Sequence, residues 1–281
     1  MKISEFITNL VAKGYGSFTS DQARQALRVS DVAVRAALRR LKEKGELAQP
    51  INGFYVIVPP EYRILGCRPA DHFITELMNF IGAPYYVGLL SAAQYYGAAH
   101  HKPQQFQVIT NQKRRAITCG RVKIVFITKK DAAKTPTQKL NTSYSSVIAS
   151  TPEATAMDIV IYANRCGGLD NTLVVLTDLV EKIDSNRLLK LVSESKEITW
   201  VQRLGYLLEL INAKKLSDAL AKKISARSKH IRILAPIKNS KQTSSVSFLF
   251  SPASNKKKPP SKSTINKKWK LIINRKLEPD T

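Results

Sequence analysis

Three cations, Arg35, Arg39 and Lys42, recur at helical spacing in SDVAVRAALRRLKEKGEL, the stretch from Ser30 to Leu47. A guanidinium can bridge the O6 and N7 acceptors of a guanine in the major groove, and an ammonium can neutralise a phosphate. The chemistry offered is therefore recognition of a polyanion rather than the making of bonds. The same stretch holds what a helix needs. Ser30 is a good N-cap, Asp31 sits where the helix dipole favours an acid, and Gly45 offers a stop. Val34, Leu38 and Leu41 form the i, i+4, i+7 stripe of a buried face, with the cations on a neighbouring one. A basic stripe by itself fits a solvated face equally well, so its surroundings must decide.

Enzyme chemistry finds little to work with. His100-His101 is a pair of adjacent residues that point to different faces, with no metal-ligand spacing around it. Asp71 and Glu76, like Glu153 and Asp158, stand five apart, off a common helical face, and read as cap and surface residues rather than an acid/base pair. Gly16-Ser17 followed by Asp31 imitates the start of a nucleotidyltransferase signature, but Ala33 occupies the place of the second carboxylate, so the metal pair has no second ligand. There is no glycine-rich phosphate loop and no Gly-x-Ser-x-Gly elbow. Cys67, Cys119 and Cys166 are widely separated and read as reduced, buried residues of a cytosolic protein. No cofactor and no metal are expected. Tyr85, Tyr86, Tyr95 and Tyr96 could stack bases, but beside Leu89 and Leu90 they read as core.

Charge supplies the context. The 281 residues hold 45 Lys+Arg and 21 Asp+Glu, a net charge of +24. Residues 1–60 contribute a net +4, residues 61–236 a net +11 and residues 237–281 a net +9. Every part is basic, which favours nucleic acid first and an anionic membrane second. The opening MKISEFITNLVAKG mixes charge into its apolar pattern and reads as no signal peptide, and no apolar run approaches a membrane span.

The elements that must position the cations follow from periodicity. Ile3, Phe6, Ile7 and Leu10 predict a first helix. GSFTSDQARQAL predicts a short extended piece and a second helix capped by Thr19 or Ser20, and Arg28-Val29 turn tightly into the third. ELAQPINGFYVIVP predicts two strands joined at Asn52-Gly53. Three helices and a hairpin in about 58 residues is the layout of a winged helix-turn-helix, whose third helix reads the major groove. Beyond Pro59-Pro60 the pattern predicts a helix over DHFITELMNFIG, a strand leading into a helix over YYVGLLSAAQYYG, and strands FQVITN and RVKIVFIT paired around the basic loop NQKRRAITCG. From Ser150 it is helical through STPEATAMDIVIYA, LDNTLVVLTDLVEKI, NRLLKLVSES, ITWVQRLGYLLELIN and KLSDALAKKIS, with a late strand at HIRILAP. Residues 237–264, rich in Ser, Lys, Pro and Asn, read as a basic flexible linker. Trp269, Leu271, Ile272 and Ile273 predict a terminal strand, in residues 265–281, that packs back on the second domain. The fold class expected is α+β: a winged helix-turn-helix over 1–60 followed by a mixed α/β domain, rich in helices, over 61–236.

The order of PYYVGLLSAAQYYG, FQVIT, STPEATAMDIVIY, WVQRLGYLLE and a late KWKLIIN after a winged helix resembles the AbiEi family of antitoxins. The resemblance implies a two-domain antitoxin of a type IV toxin–antitoxin (phage-defence) system that represses its own operon. Its winged helix would bind promoter repeats as monomer or dimer. Its C-terminal domain would counter a nucleotidyltransferase-like toxin without a stable complex.

For the DNA contact, Thr19, Ser20 and Arg24 are expected near the backbone, and Ser30, Asp31, Ala33, Arg35 and Arg39 in the groove. Arg28, Arg40, Lys42 and Asn52 are expected at phosphates or in the wing. Lys113, Arg114 and Arg115 are candidates for further phosphate contacts. The alternatives left open are a winged-helix regulator with a ligand-sensing second domain and a nucleic-acid-processing enzyme.

Overall fold

The computed structural model describes residues 1–99, 103–142, 144–227, 231–235 and 264–277. The linker expected at 237–264 lies outside the described residues but for its last position, as does the pair His100-His101. Two compact units divide the chain, Met1–Thr155 and Ala156–Thr281. Together they make an α+β fold. Among the described residues, no helix is long and apolar enough to cross a membrane.

The first unit begins with α1 (Ile3–Ala12), β1 (Ser17–Thr19), α2 (Ser20–Leu27), α3 (Asp31–Glu43), β2 (Leu47–Ile51) and β3 (Phe54–Ile57). Local chemistry sets the boundaries. Thr19 Oγ1 accepts from the Gln22 N–H at 3.2 Å, and Gln22 Oε1 accepts from the Thr19 N–H at 2.7 Å, a reciprocal capping box that starts α2. Arg28 closes α2 in the left-handed region at φ 53. Ser30 Oγ then accepts from the Ala33 N–H at 3.3 Å and starts α3. The three helices close over Phe6, Phe18, Ala23, Leu27, Val34 and Leu38, with Phe18 between an edge-on Phe6 and a stacked Tyr55.

The sheet has the order β1-β3-β2, all antiparallel. The extended piece before α2 is thus a third strand, pairing Ser17 with Val56 and Thr19 with Phe54. The Asn52-Gly53 turn joins Ile51 to Phe54 as expected, but only Gly53 has a positive φ (81°). The mirror-image turn usual for Asn-Gly needs both. Here the register shifts between Ala48 and Ile51, around Pro50, and the strand enters the turn already bent.

Strand β3 is buried along its whole length. Tyr55 and Ile57 face the helices, while Phe54, Val56 and Val58 join a second core with Phe73, Ile74, Leu77, Val87 and Val108. A continuous apolar run, FYVIV, is what a strand covered on both faces requires.

That second core lies on a six-stranded sheet. After 3₁₀ turns at Pro60–Leu65 and Ala70–His72 come α4 (Ile74–Ile81), β4 (Tyr85–Val87), α5 (Leu89–Tyr95), β5 (Phe106–Thr110), β6 (Ile117–Cys119), β7 (Val122–Thr128), β8 (Thr137–Asn141) and β9 (Ser146–Ser150). The order is β6-β7-β5-β4-β9-β8. Strands β5 and β7 pair as expected, but in parallel, Phe106 opposite Ile124 through Thr110 opposite Thr128. The basic loop between them is therefore a crossover containing β6 rather than a hairpin tip. Sequence reading passes over β8 and β9, although β9 is interior and pairs in parallel with β4 at Val87 and Ala149.

Helix α6 (Pro152–Ile161) leads into the second unit: α7 (Leu169–Leu179), α8 (Ser185–Glu194), α9 (Thr199–Leu210), α10 (Lys214–Arg227), β10 (Arg232–Ile233), β11 (Thr264–Asn266) and β12 (Leu271–Ile273). Strand β12 lies between β10 and β11. The fully buried Trp269 packs on α9, where Gln202 Nε2 donates to the Trp269 carbonyl at 3.1 Å and the indole N–H donates to Glu209.

Candidate nucleic-acid interface

Helix α3 buries Val34 and Leu38 and exposes Asp31, Val32, Ala33, Arg35, Arg39, Arg40 and Lys42. At about 100° per residue, Val32, Arg39 and Arg40 fall on the side away from the buried stripe, and Arg35 and Lys42 share its flank. Arg39 keeps most of its side chain in solvent and reaches Glu43 Oε1 at 3.7 Å, one turn along the helix. Such an exposed pair holds the guanidinium weakly and leaves it available.

Arg24 is more committed. Its guanidinium lies 3.1 Å from Asp21 Oδ1 and 3.8 Å from Asp31 Oδ1, so it ties α2 to the first residue of α3. Asp31, expected in the groove, is partly neutralised there. Thr19 and Ser20 are half-buried, with the Thr19 hydroxyl engaged in the α2 cap. The Ser20 N–H donates to the Gly53 carbonyl at 2.9 Å. The structure thus brings Thr19, Ser20 and the hairpin tip, with exposed Asn52, to one place. Arg28 is exposed at the turn between α2 and α3.

Lys42 points along the flank toward the hairpin. Its Nζ donates to Gln49 Oε1 at 3.0 Å, and Gln49 Nε2 donates to the Tyr55 hydroxyl at 3.2 Å. The tip is braced from the other side by Phe80 of α4, whose ring lies 5.6 Å from that of Phe54.

Lys113 and Arg115 are exposed in the β5–β6 connection, while Arg114 is half-buried and donates to Gln112 Oε1 at 2.7 Å. Beyond them, Cys119 at the end of β6 is buried against Cys67. A hydrogen bond from the free Cys67 thiol holds the Cys119 thiol below its usual range against the push of burial, aided by the Gln49 backbone and the charge of Lys42. Cys67 is pushed far up by the same bond and by burial.

Two features escape sequence reading. Val29 and Val32 are exposed, 48% and 69%, beside the cations of α3, and the alternation signal that finds cores says nothing of apolar residues left outside. Glu153 and Asp158, read as cap and surface residues, are instead buried, at 2% and 0% exposed. Helix α6 is packed around most of its circumference, so their positions admit no solvent face. Tyr86 is buried and Tyr95 and Tyr96 half-buried, consistent with core. Among the described residues, no group of three or more His, Cys, Asp or Glu could hold a metal ion.

Residues 86–210 match the family model for the AbiEi antitoxin C-terminal domain. Among solved structures, the chain is similar to the RV2827C protein from Mycobacterium tuberculosis, at 17% identity and a TM-score of 0.62, over 96% of this chain and 90% of that one. At such identity the likeness speaks for the fold alone. An antigenic nucleotidyltransferase-like protein from Paracoccidioides brasiliensis overlaps at 10% identity and a TM-score of 0.33, over 54% of this chain and 90% of that one, too slight to bear on the reading. Comparison with curated proteins gives no significant match. The family match supports an antitoxin of a toxin–antitoxin system. Over residues 86–210 of its 281, the chain thus matches the model of the family that its sequence resembles.

Proposed function

We propose that this chain is a non-enzymatic, cytoplasmic, DNA-binding antitoxin that represses its own type IV toxin–antitoxin operon, in a phage-defence setting. The proposed partner is a nucleotidyltransferase-like toxin, opposed without a stable complex. Residues 1–58 act as a winged helix-turn-helix, α3 entering the major groove and the β2–β3 hairpin resting on the backbone as monomer or dimer. The observation that carries the reading is the exposed cation set on α3, with Arg39 and Arg40 away from its buried Val34–Leu38 stripe and Arg35 on the flank. Arg35 and Arg39 read bases, Arg28, Arg40 and Asn52 hold phosphates, and Lys113 and Arg115 extend the charged footprint.

The test is a titration of the purified full chain against its own upstream region and scrambled DNA of equal length, at two salt concentrations. A preference that survives higher salt supports a base reader. Equal binding that collapses with salt leaves only charge at work. A second reading, a regulator with a ligand-sensing domain, has one observation behind it: an open cleft of about 300 Å³ lined by Asn79, Pro84, Tyr85, Tyr86, Thr135 and Ile148. Binding of a metabolite that changes DNA affinity would favour it.

A further inference from the structure

We infer that Val32 reads thymine, its side chain resting on the C5-methyl group of an A·T pair in the groove that α3 enters. The inference rests on the proposal that α3 is a base-reading helix.

Val32 is 69% exposed in the first turn of α3, and Val29, three residues earlier in the turn from α2, is 48% exposed. A single exposed valine on a protein surface is ordinary. The setting of this one is less so. A solvated helix position is best filled by Ala, Lys or Glu, and a β-branched residue there gives up helix propensity for no packing in return. Apart from Asp31, an acid that Arg24 partly neutralises, the side chains around Val32 are small or cationic: Ala33 is exposed, Ala36 is half-buried, and Arg35 and Arg39 are exposed. The small ones let the backbone approach a surface closely. The cations say that the surface is anionic.

On DNA, the group in the major groove that such a side chain complements is the thymine methyl. The helix rise places Arg35 about 4.5 Å along the axis from Val32, against about 3.4 Å between successive bases on a strand. An A·T pair read by Val32 then lies within about two base pairs of a G·C pair read by Arg35.

The experiment uses the full chain, wild type and Val32→Ala, with its own upstream region prepared with thymine or with uracil throughout. Uracil lacks the C5-methyl and pairs identically. Wild-type affinity should fall about fourfold on uracil DNA for each methyl contact, the weight of one buried methyl group. Val32→Ala should bind thymine DNA with that loss already present and no longer distinguish the two DNAs. Because Val32 is exposed and Ala is the better helix former, the variant should melt at or slightly above wild type, which thermal unfolding checks. If the wild type prefers its own region over scrambled DNA yet binds thymine and uracil forms equally, the inference is overturned and the base reader stands. If Val32→Ala keeps the wild-type discrimination, the methyl is sensed elsewhere and the inference is overturned too. If no preference over scrambled DNA exists, both fall together.

Discussion

The indole of Trp269 lies against the backbone of α9 at Gly205, where a Cβ would stand 2.0 Å from its Cζ3. Helix propensity alone would favour Gly205→Ala by about 1 kcal/mol. The contact decides otherwise, because the ring is fully buried and has nowhere to retreat. Gly205→Ala should be destabilising by about 1–3 kcal/mol, the usual weight of overpacking. Urea unfolding measures it, and an unchanged or raised midpoint would show that the ring is free to move. Trp269→Ala, which leaves a cavity instead, should cost about 3–5 kcal/mol.

Arg35→Ala should weaken binding to the chain's own upstream region by about 1–3 kcal/mol and relax discrimination at one base position. Arg40→Ala should weaken binding to every sequence alike and lower the salt slope by about one phosphate. Titrations across salt on matched and single-substituted sites separate the two. A uniform loss for Arg35→Ala would move it to the phosphates.

Arg24 predicts a coupling rather than a loss. Its pairs with Asp21 and Asp31 are exposed and contribute less than about 1 kcal/mol to stability. Removing Arg24 leaves Asp31 unneutralised at the start of α3, where on the proposed reading its charge would repel the DNA polyanion. Arg24→Ala should therefore melt close to wild type yet bind all DNA more weakly, and adding Asp31→Asn should restore part of the loss. Additive effects in that double-mutant cycle would show that the two act independently.

Tyr96 sets a limit at alkaline pH. Its hydroxyl donates to the Ser150 carbonyl and accepts from Gln138 Nε2 at 2.9 Å. Burial, with a smaller push from Glu153, raises it to about 12 against the pull of the Gln138 bond. The unfolded value is about 10. The folded chain thus keeps a proton that the unfolded chain has lost, so this contribution is full below about pH 10 and fades as pH climbs to about 12. The urea midpoint should fall across that window, less steeply in Tyr96→Phe. Equal slopes for the two proteins would remove Tyr96 from the cause.

Much of this was written locally in the chain. Ser30 announces its cap by residue type, Thr19 or Ser20 announces the start of α2, and Val34 and Leu38 announce the buried side of α3, while the choice of Thr19 rests on its exchange with Gln22. The pattern FYVIV already states that β3 has no wet face. What the chain could not state locally is pairing at a distance. The parallel partnership of β5 with β7 depends on where the β6 excursion goes, and β9 owes its interior place to β4, some sixty residues earlier. TQKLN and SSVIAS are too polar to announce strands. Glu153 and Asp158 mislead because their type argues for water while the packing of α6 leaves them none. At the interface, the cations of α3 were legible from charge and spacing. The engagements of Arg24 with Asp31 and of Lys42 with Gln49 were not, since each crosses between elements.

The double covering of β3 has a consequence for transplanting the proposed DNA reader. Cutting the chain after Val58 would leave Phe54, Val56 and Val58 as an uncovered apolar face of the central strand β3. Grafted alone onto another protein, the first 58 residues would self-associate before they searched any genome. The compact piece to move is the longer one, residues 1–155, in which the three helices and their hairpin keep the sheet that covers β3.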